Sequence, residues 1–148
     1  MTAIAAPFHG LSTELHATAS IGGTIDSTTK VGEVGSIGTL ELSANIIEFN
    51  SYGTNFKQKL VGQKDSGTLE VTLNFVPGDA SHVALKAAYD NGTAATYAIR
   101  WKSGAENATA EFTAYVASFG IDTPVEDVVA VSVELAIDGA VTYTNQTA

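Results

Sequence analysis

Residues 68–75 read TLEVTLNF, and their alternation is strict: Leu69, Val71, Leu73 and Phe75 point one way, Thr68, Glu70, Thr72 and Asn74 the other. Successive side chains leave a strand on opposite faces, so a period of two marks a strand with one dry and one wet side. Residues 128–138 (VVAVSVELAID) repeat the pattern, setting Val129, Val131, Val133, Leu135 and Ile137 against Ala130, Ser132, Glu134, Ala136 and Asp138. Residues 95–102 (ATYAIRWK) set Tyr97, Ile99 and Trp101 against Ala98 and Arg100. A polar turn, SGAENA, then leads into AEFTAYVASF at 110–119 as the second arm of a hairpin. The stretch 31–51 suggests two further strands with a turn near Ala44 and Asn45, and the Thr- and Ser-rich 11–20 suggests an early one. Two-faced strands need a core on one side, which confines the chain to sheet-based folds.

One segment breaks the pattern. In PGDASHVALKAAYDNG (77–92), Pro77 and Gly78 stop the preceding strand, Asp79 is placed to cap a first helical turn, and Gly92 supplies the stop. Val83, Ala84, Ala87 and Ala88 form an apolar stripe, joined by Leu85 and Tyr89. The expected fold is therefore mainly β: a β-sandwich or small barrel with one short flanking α-helix at about residues 79–91. A chain of 148 residues fits one domain, 1–148, burying roughly 70% of its unfolded surface. Residues 1–10 and 139–148 read as N- and C-terminal arms.

Composition removes several function classes. Hydrophobic residues make up 45% and mean hydropathy is +0.13, which argues against disorder. Cysteine is absent, so neither a disulfide framework nor thiolate chemistry is expected. MTAIAAPFHG lacks the basic region and apolar core of a secretory signal, and no run reaches the roughly 18 apolar residues of a membrane helix. Seven basic and 16 acidic residues give a net charge of -9, which disfavours a surface that grips phosphates.

No catalytic constellation emerges. His9, His16 and His82 are scattered without acidic residues at metal-ligand spacing, and packing or surface roles suit them. GEVGSIG at 32–38 lacks the Lys-Ser/Thr ending and helical context of a phosphate loop, so a turn with close backbone approach is expected. Asp122, Glu126 and Asp127 match no calcium-loop spacing and read as a solvated acidic turn. Asn-x-Thr triplets at Asn91, Asn107 and Asn145 fit chance in a chain rich in both residues. We expect neither an enzyme nor a cofactor nor a metal.

The informative feature is the connection SYGTNFKQKLVGQKDSG at 51–67, which holds Lys57, Lys59 and Lys64 against a single acid, Asp65. Without it the remaining residues carry 4 basic and 15 acidic groups, a charge of -11. So long a connection is uncommon in a compact domain unless it functions, and here it is expected to be an extended hairpin loop projecting from the sheet.

The order of several segments resembles a major tail tube protein of long-tailed, non-contractile (siphovirus-type) bacteriophages. The carrying text is IGTLELSANIIEFNSYGTNFKQKLVGQKDSGTLEVTLNF, then PGDASHVALKAAYDNG, then TYAIRW, then FTAYVASFGIDTPVEDVVAVSVELAIDG, covering residues 31–139. The resemblance implies homohexameric rings that stack into a hollow tube in the virion tail, assembled in the host bacterial cytoplasm and conducting DNA at ejection. It implies partners at the tail tip and tail terminator, a tape measure protein inside the tube, and no membrane. It also implies that the hairpin reaches the adjoining ring, so that Tyr52, Phe56, Lys57, Lys59, Leu60, Lys64 and Asp65 are the stacking residues. A conduit must not hold its polyanionic cargo, and Glu41, Glu48, Glu70, Thr72, Ser132, Glu134 and Asp138 are candidates for a repelling, lumen-facing wall.

Two other readings fit the same text. A type VI secretion tube protein would share the fold. A carbohydrate-binding or adhesive β-sandwich of a virion would need an exposed aromatic platform, for which Tyr52, Phe56, Tyr97 and Trp101 are the supply.

Overall fold

The computed structural model describes residues 13–18, 22, 25, 29–103 and 106–147. The strands are β1 (Glu14–Ala17), β2 (Val34–Ile37), β3 (Ser43–Phe49), β4 (Gln58–Asp65), β5 (Thr68–Asn74), β6 (Ala94–Ser103), β7 (Glu106–Asp122) and β8 (Ala130–Thr147), with one helix, α1 (Ala80–Asn91), between β5 and β6. Six strands form an antiparallel sheet in the order β1-β6-β7-β8-β5-β2, and β3 and β4 pair separately. The sheet curls until the lead-in to β2 meets β1. The Val31 amide donates to the Leu15 carbonyl at 2.8 Å and the Ala17 amide to the Thr29 carbonyl at 2.9 Å. The result is a curled, mainly β half-barrel with one helix, in keeping with the expected mainly β sandwich or small barrel.

The dry faces fill the half-barrel. Leu69, Val71 and Leu73 of β5 lie against Leu135, Val133 and Val131 of β8, register partners one by one, and all six are buried. Phe112, Ala114 and Val116 of β7 and Tyr97 and Ile99 of β6 continue the core, with the Tyr97 and Phe112 rings stacked at 6.3 Å. Helix α1 closes the concave side by burying Leu85 and His82. Asp79 caps it by accepting from the Ser81 amide at 2.8 Å, and Gly92 ends it in the left-handed region at φ 63°. His82 is a satisfied core residue: its Nε2–H donates to the Gly32 carbonyl at 2.8 Å and its Nδ1 accepts from the Val76 amide at 3.3 Å.

Three sequence expectations change in the structure. The turn expected near Ala44 and Asn45 is a bulge within β3, where the register with β4 shifts between Ala44 and Ile46. Asparagine suits turns, and it also suits the unpaired position of a bulge. The chain instead leaves the sheet around Gly38, where a Cβ would stand 2.8 Å from the Glu70 carbonyl oxygen. The connection 51–67 is half strand, because Gln58–Asp65 forms β4. Residues after Gly139, read as an arm, continue β8 to Thr147 along β7. Gly139, at φ 83°, marks a register shift rather than a stop: Asp138 faces Thr113, and Thr142 faces Glu111. The N-terminal arm, with His9, lies outside the described residues.

Candidate assembly surfaces

The β3–β4 hairpin prolongs the β2–β5 ribbon. Ile37 faces Val71, the Gly38 amide meets the Glu70 carbonyl at 2.6 Å, a Cβ on Gly67 would stand 3.6 Å from the Glu41 carbonyl, and Ser43 faces Asp65. The register therefore crosses the gap at 38–42 without a slip, and the hairpin leaves the body along the axis of β5, beyond Thr68. Its base is tied down: the Ser66 hydroxyl donates to the Gly139 carbonyl at 2.8 Å, and the Gly67 amide donates to the Asp65 carboxylate at 3.0 Å. From Asp65 to Gln58 the strand extends about 23 Å at 3.3 Å per residue.

Every residue from 41 to 61 is exposed. This includes apolar side chains that a free-standing hairpin has no reason to carry: Ile46 opposite Val61, Ile47 opposite Leu60, and Phe49. At the tip Tyr52 is fully exposed and Phe56 82% exposed. So large an apolar display marks an interaction surface. The sequence reading named Tyr52, Phe56 and Leu60 and missed Ile46, Ile47, Phe49 and Val61, although two adjacent isoleucines in a strand show that both faces seek cover. Lys57 and Lys59 reach Glu48 on the neighbouring strand at 4.0 and 3.7 Å, while Lys64 has no ion-pair partner among the described residues. Both pairs lie in water, so each is worth about 0–1 kcal/mol and leaves the lysines available.

The wet face of the main sheet is the second surface. Glu70 faces Glu134 across β5 and β8, and Thr72 faces Ser132. Next along β8, Asp138 is exposed opposite Thr113, and Glu111 of β7 lies on the same side. No Lys or Arg occurs within 68–74, 111–122 or 130–138. Five sequence-selected residues, Glu70, Thr72, Ser132, Glu134 and Asp138, thus share one face. Glu48 sits instead on the hairpin beside its lysines, and Glu41 on the linker between β2 and β3.

The other polar groups have structural work. Glu14 accepts from Lys102 at 2.8 Å and from His16 at 3.0 Å, with Lys30 at 3.7 Å, and this cluster fastens the short edge strand β1. Burial pushes the Glu14 carboxyl upward, but the hydrogen bonds from Lys102 and His16 and the charges of Lys102 and Lys30 prevail and bring it to about 2 from an ordinary 4.5. Nothing in the sequence spacing announced this cluster, since Glu14 and Lys102 meet only through the β1–β6 pairing. Hydrogen bonds from Ser81 likewise hold the Asp79 carboxyl below the usual range. Among the described residues no group of His, Asp and Glu could hold a metal ion, and no helix is long and apolar enough to cross a membrane. Tyr97 is buried, which removes it from any aromatic platform.

Solved structures share this architecture. The tail tube of SPP1 superposes with a TM-score of 0.67 at 20% identity, covering 96% of this chain and 80% of that one. The PVC sheath/tube terminator of an extracellular contractile injection system gives 0.73 at 17% identity, covering 96% and 99%. A chain of the native gene transfer agent virion gives 0.69 at 10% identity, covering 93% and 99%. No curated protein matches the chain by sequence. A family profile does, that of the lambda phage tail tube protein, over residues 24–144. With a projecting apolar hairpin, a wet face free of Lys and Arg across β5, β8 and β7, and a profile match across nearly the whole fold, the chain belongs to the lambda phage tail tube protein family.

Proposed function

We propose that six copies close into a ring, that rings stack into a hollow tail tube, and that the wet face of β5, β8 and β7 lines the bore through which DNA leaves the virion. As a family member the chain is a structural subunit of a phage tail tube and a component of the virion. The observation that carries the lumen assignment is the cation-free face on which Glu70 and Glu134 stand opposite each other. A face meant for cover by another protein would gain from mixed charge. A face whose only charges are carboxylates repels phosphodiesters within the roughly 8–10 Å reach of screened charge.

In this reading the protein has no catalytic step and needs no cofactor. The bore holds a tape measure protein until ejection, and tip and terminator proteins close the ends. Neighbouring copies close the ring side by side, and stacking uses the hairpin. A density map of assembled tails tests the reading directly. It should show six-fold rings, a continuous bore, and Glu70 and Glu134 at its wall. A bore lined by lysines, or no bore, overturns it.

A further inference from the structure

We propose that the cleft between α1 and the β1–β6 edge binds a small neutral molecule, apolar over most of its surface and carrying one hydrogen-bond acceptor that meets the Tyr97 hydroxyl. The cleft measures about 580 Å³, a volume within the range of small-molecule sites. It stays open because the elements beside it carry short side chains. Leu85 reaches from α1 into the core, whereas Ala84 and Ala88 of the helix and Ala17 and Ala95 of the strands line the cleft with methyl groups alone.

The polar part of the lining selects the ligand. The Thr18 hydroxyl donates to the Thr96 carbonyl at 3.0 Å, the Thr29 hydroxyl is bonded to the His16 ring at 3.0 Å, and the Ser81 hydroxyl donates to the Asp79 carboxylate. Lys30 reaches the Glu14 carboxylate at 3.7 Å. These groups are committed within the protein. Tyr97 differs: it is 1% exposed, and its hydroxyl has no hydrogen-bond partner among the described residues. No wholly enclosed side-chain nitrogen or oxygen among those residues lacks a partner, so this hydroxyl keeps its small exposure, and the cleft is the space it opens to. Burial pushes the phenol above its ordinary 10.0, so it remains a donor at neutral pH. A buried donor without an acceptor carries a desolvation cost that a bound acceptor relieves. Lys30 and Asp79 put opposite charges on the lining, each already engaged, so a charged ligand gains little there and a neutral one fits.

Acetophenone, an aromatic ring with one carbonyl, and ethylbenzene, of similar shape without the acceptor, probe the cleft in the full-length protein. Acetophenone should raise Tm with concentration and shift the NMR signals of Ala84, Ala88 and Ala95, and ethylbenzene should bind more weakly. Tyr97→Phe removes only an unbonded hydroxyl and should fold; it should weaken acetophenone binding about 3- to 10-fold and leave ethylbenzene unchanged. Ala88→Leu fills the cleft and should abolish binding of both, with thermal unfolding free of probe showing that each variant folds. No saturable effect of acetophenone, equal binding of the two probes, undiminished acetophenone binding by Tyr97→Phe, or binding that survives in folded Ala88→Leu overturns the proposal. None of these readouts needs a ring or a tube, so a negative result leaves the proposed function standing.

Discussion

The Glu70–Glu134 pair allows a sharp test of whether the wet face is shaped by something other than folding. Residues directly opposite in an antiparallel pair hold their Cβ atoms about 5 Å apart, and two flexible carboxylates there settle at roughly 7 Å. Coulomb's law at about 7 Å gives close to 0.6 kcal/mol of repulsion in water and about 2.4 kcal/mol at an effective dielectric of 20. Both side chains are exposed, so the lower value governs. Glu70→Gln keeps the shape and removes the repulsion, and should stabilise the isolated subunit by about 0.3–1 kcal/mol. For a domain of this size that raises Tm by about 1–4 °C in low-salt buffer. At 1 M salt the Debye length falls to about 3 Å and the gain should vanish. Thermal unfolding of both proteins at the two salt concentrations decides the matter. An unchanged or lower Tm at low salt, or a gain that survives 1 M salt, refutes the argument that this sheet tolerates repulsion for the sake of its surroundings.

Glu14→Gln should cost about 1–3 kcal/mol near pH 7, the lower part of that range reflecting the exposure of Lys102 and Lys30. Because the folded carboxyl titrates at about 2 and the ordinary value is 4.5, the wild-type advantage is complete above about pH 4.5 and fades as the pH falls toward 2; urea midpoints across that window should converge. Gly38→Ala places a methyl group 2.8 Å from the Glu70 carbonyl oxygen, so it should lower stability by roughly 1–3 kcal/mol. Gly35→Ala, whose Cβ would stand 3.4 Å from the Thr72 carbonyl oxygen, should cost less in the same denaturation assay.

What the sequence revealed follows from how local each signal is. β5 and the first half of β8 alternate because one face of each is dry along its whole length, and their wet-face residues could be named before the pairing was known. Helix α1 carried its own boundaries in Asp79 and Gly92. The bulge at Ala44 and Ile46 was misread because asparagine serves turns and bulges alike. β4 was hidden because Gln58, Lys59, Leu60 and Val61 are all exposed and no dry face imposes alternation. The far half of β8 was hidden by Gly139, whose left-handed backbone sits at a register shift and does not end the strand. The Glu14 cluster joins residues distant in sequence, so only the folded pairing brings its charges together.

The register that crosses residues 38–42 without a slip, from β2–β5 into β3–β4, makes the protruding ribbon a molecular ruler. The height of Phe56 above the body is a count of residue pairs, and each pair inserted or deleted in β3 and β4 moves the tip by about 3.3 Å. Whatever grips that tip sits at a distance written into the length of two strands, so a lineage could lengthen or shorten its axial repeat by editing those strands alone, leaving the barrel untouched.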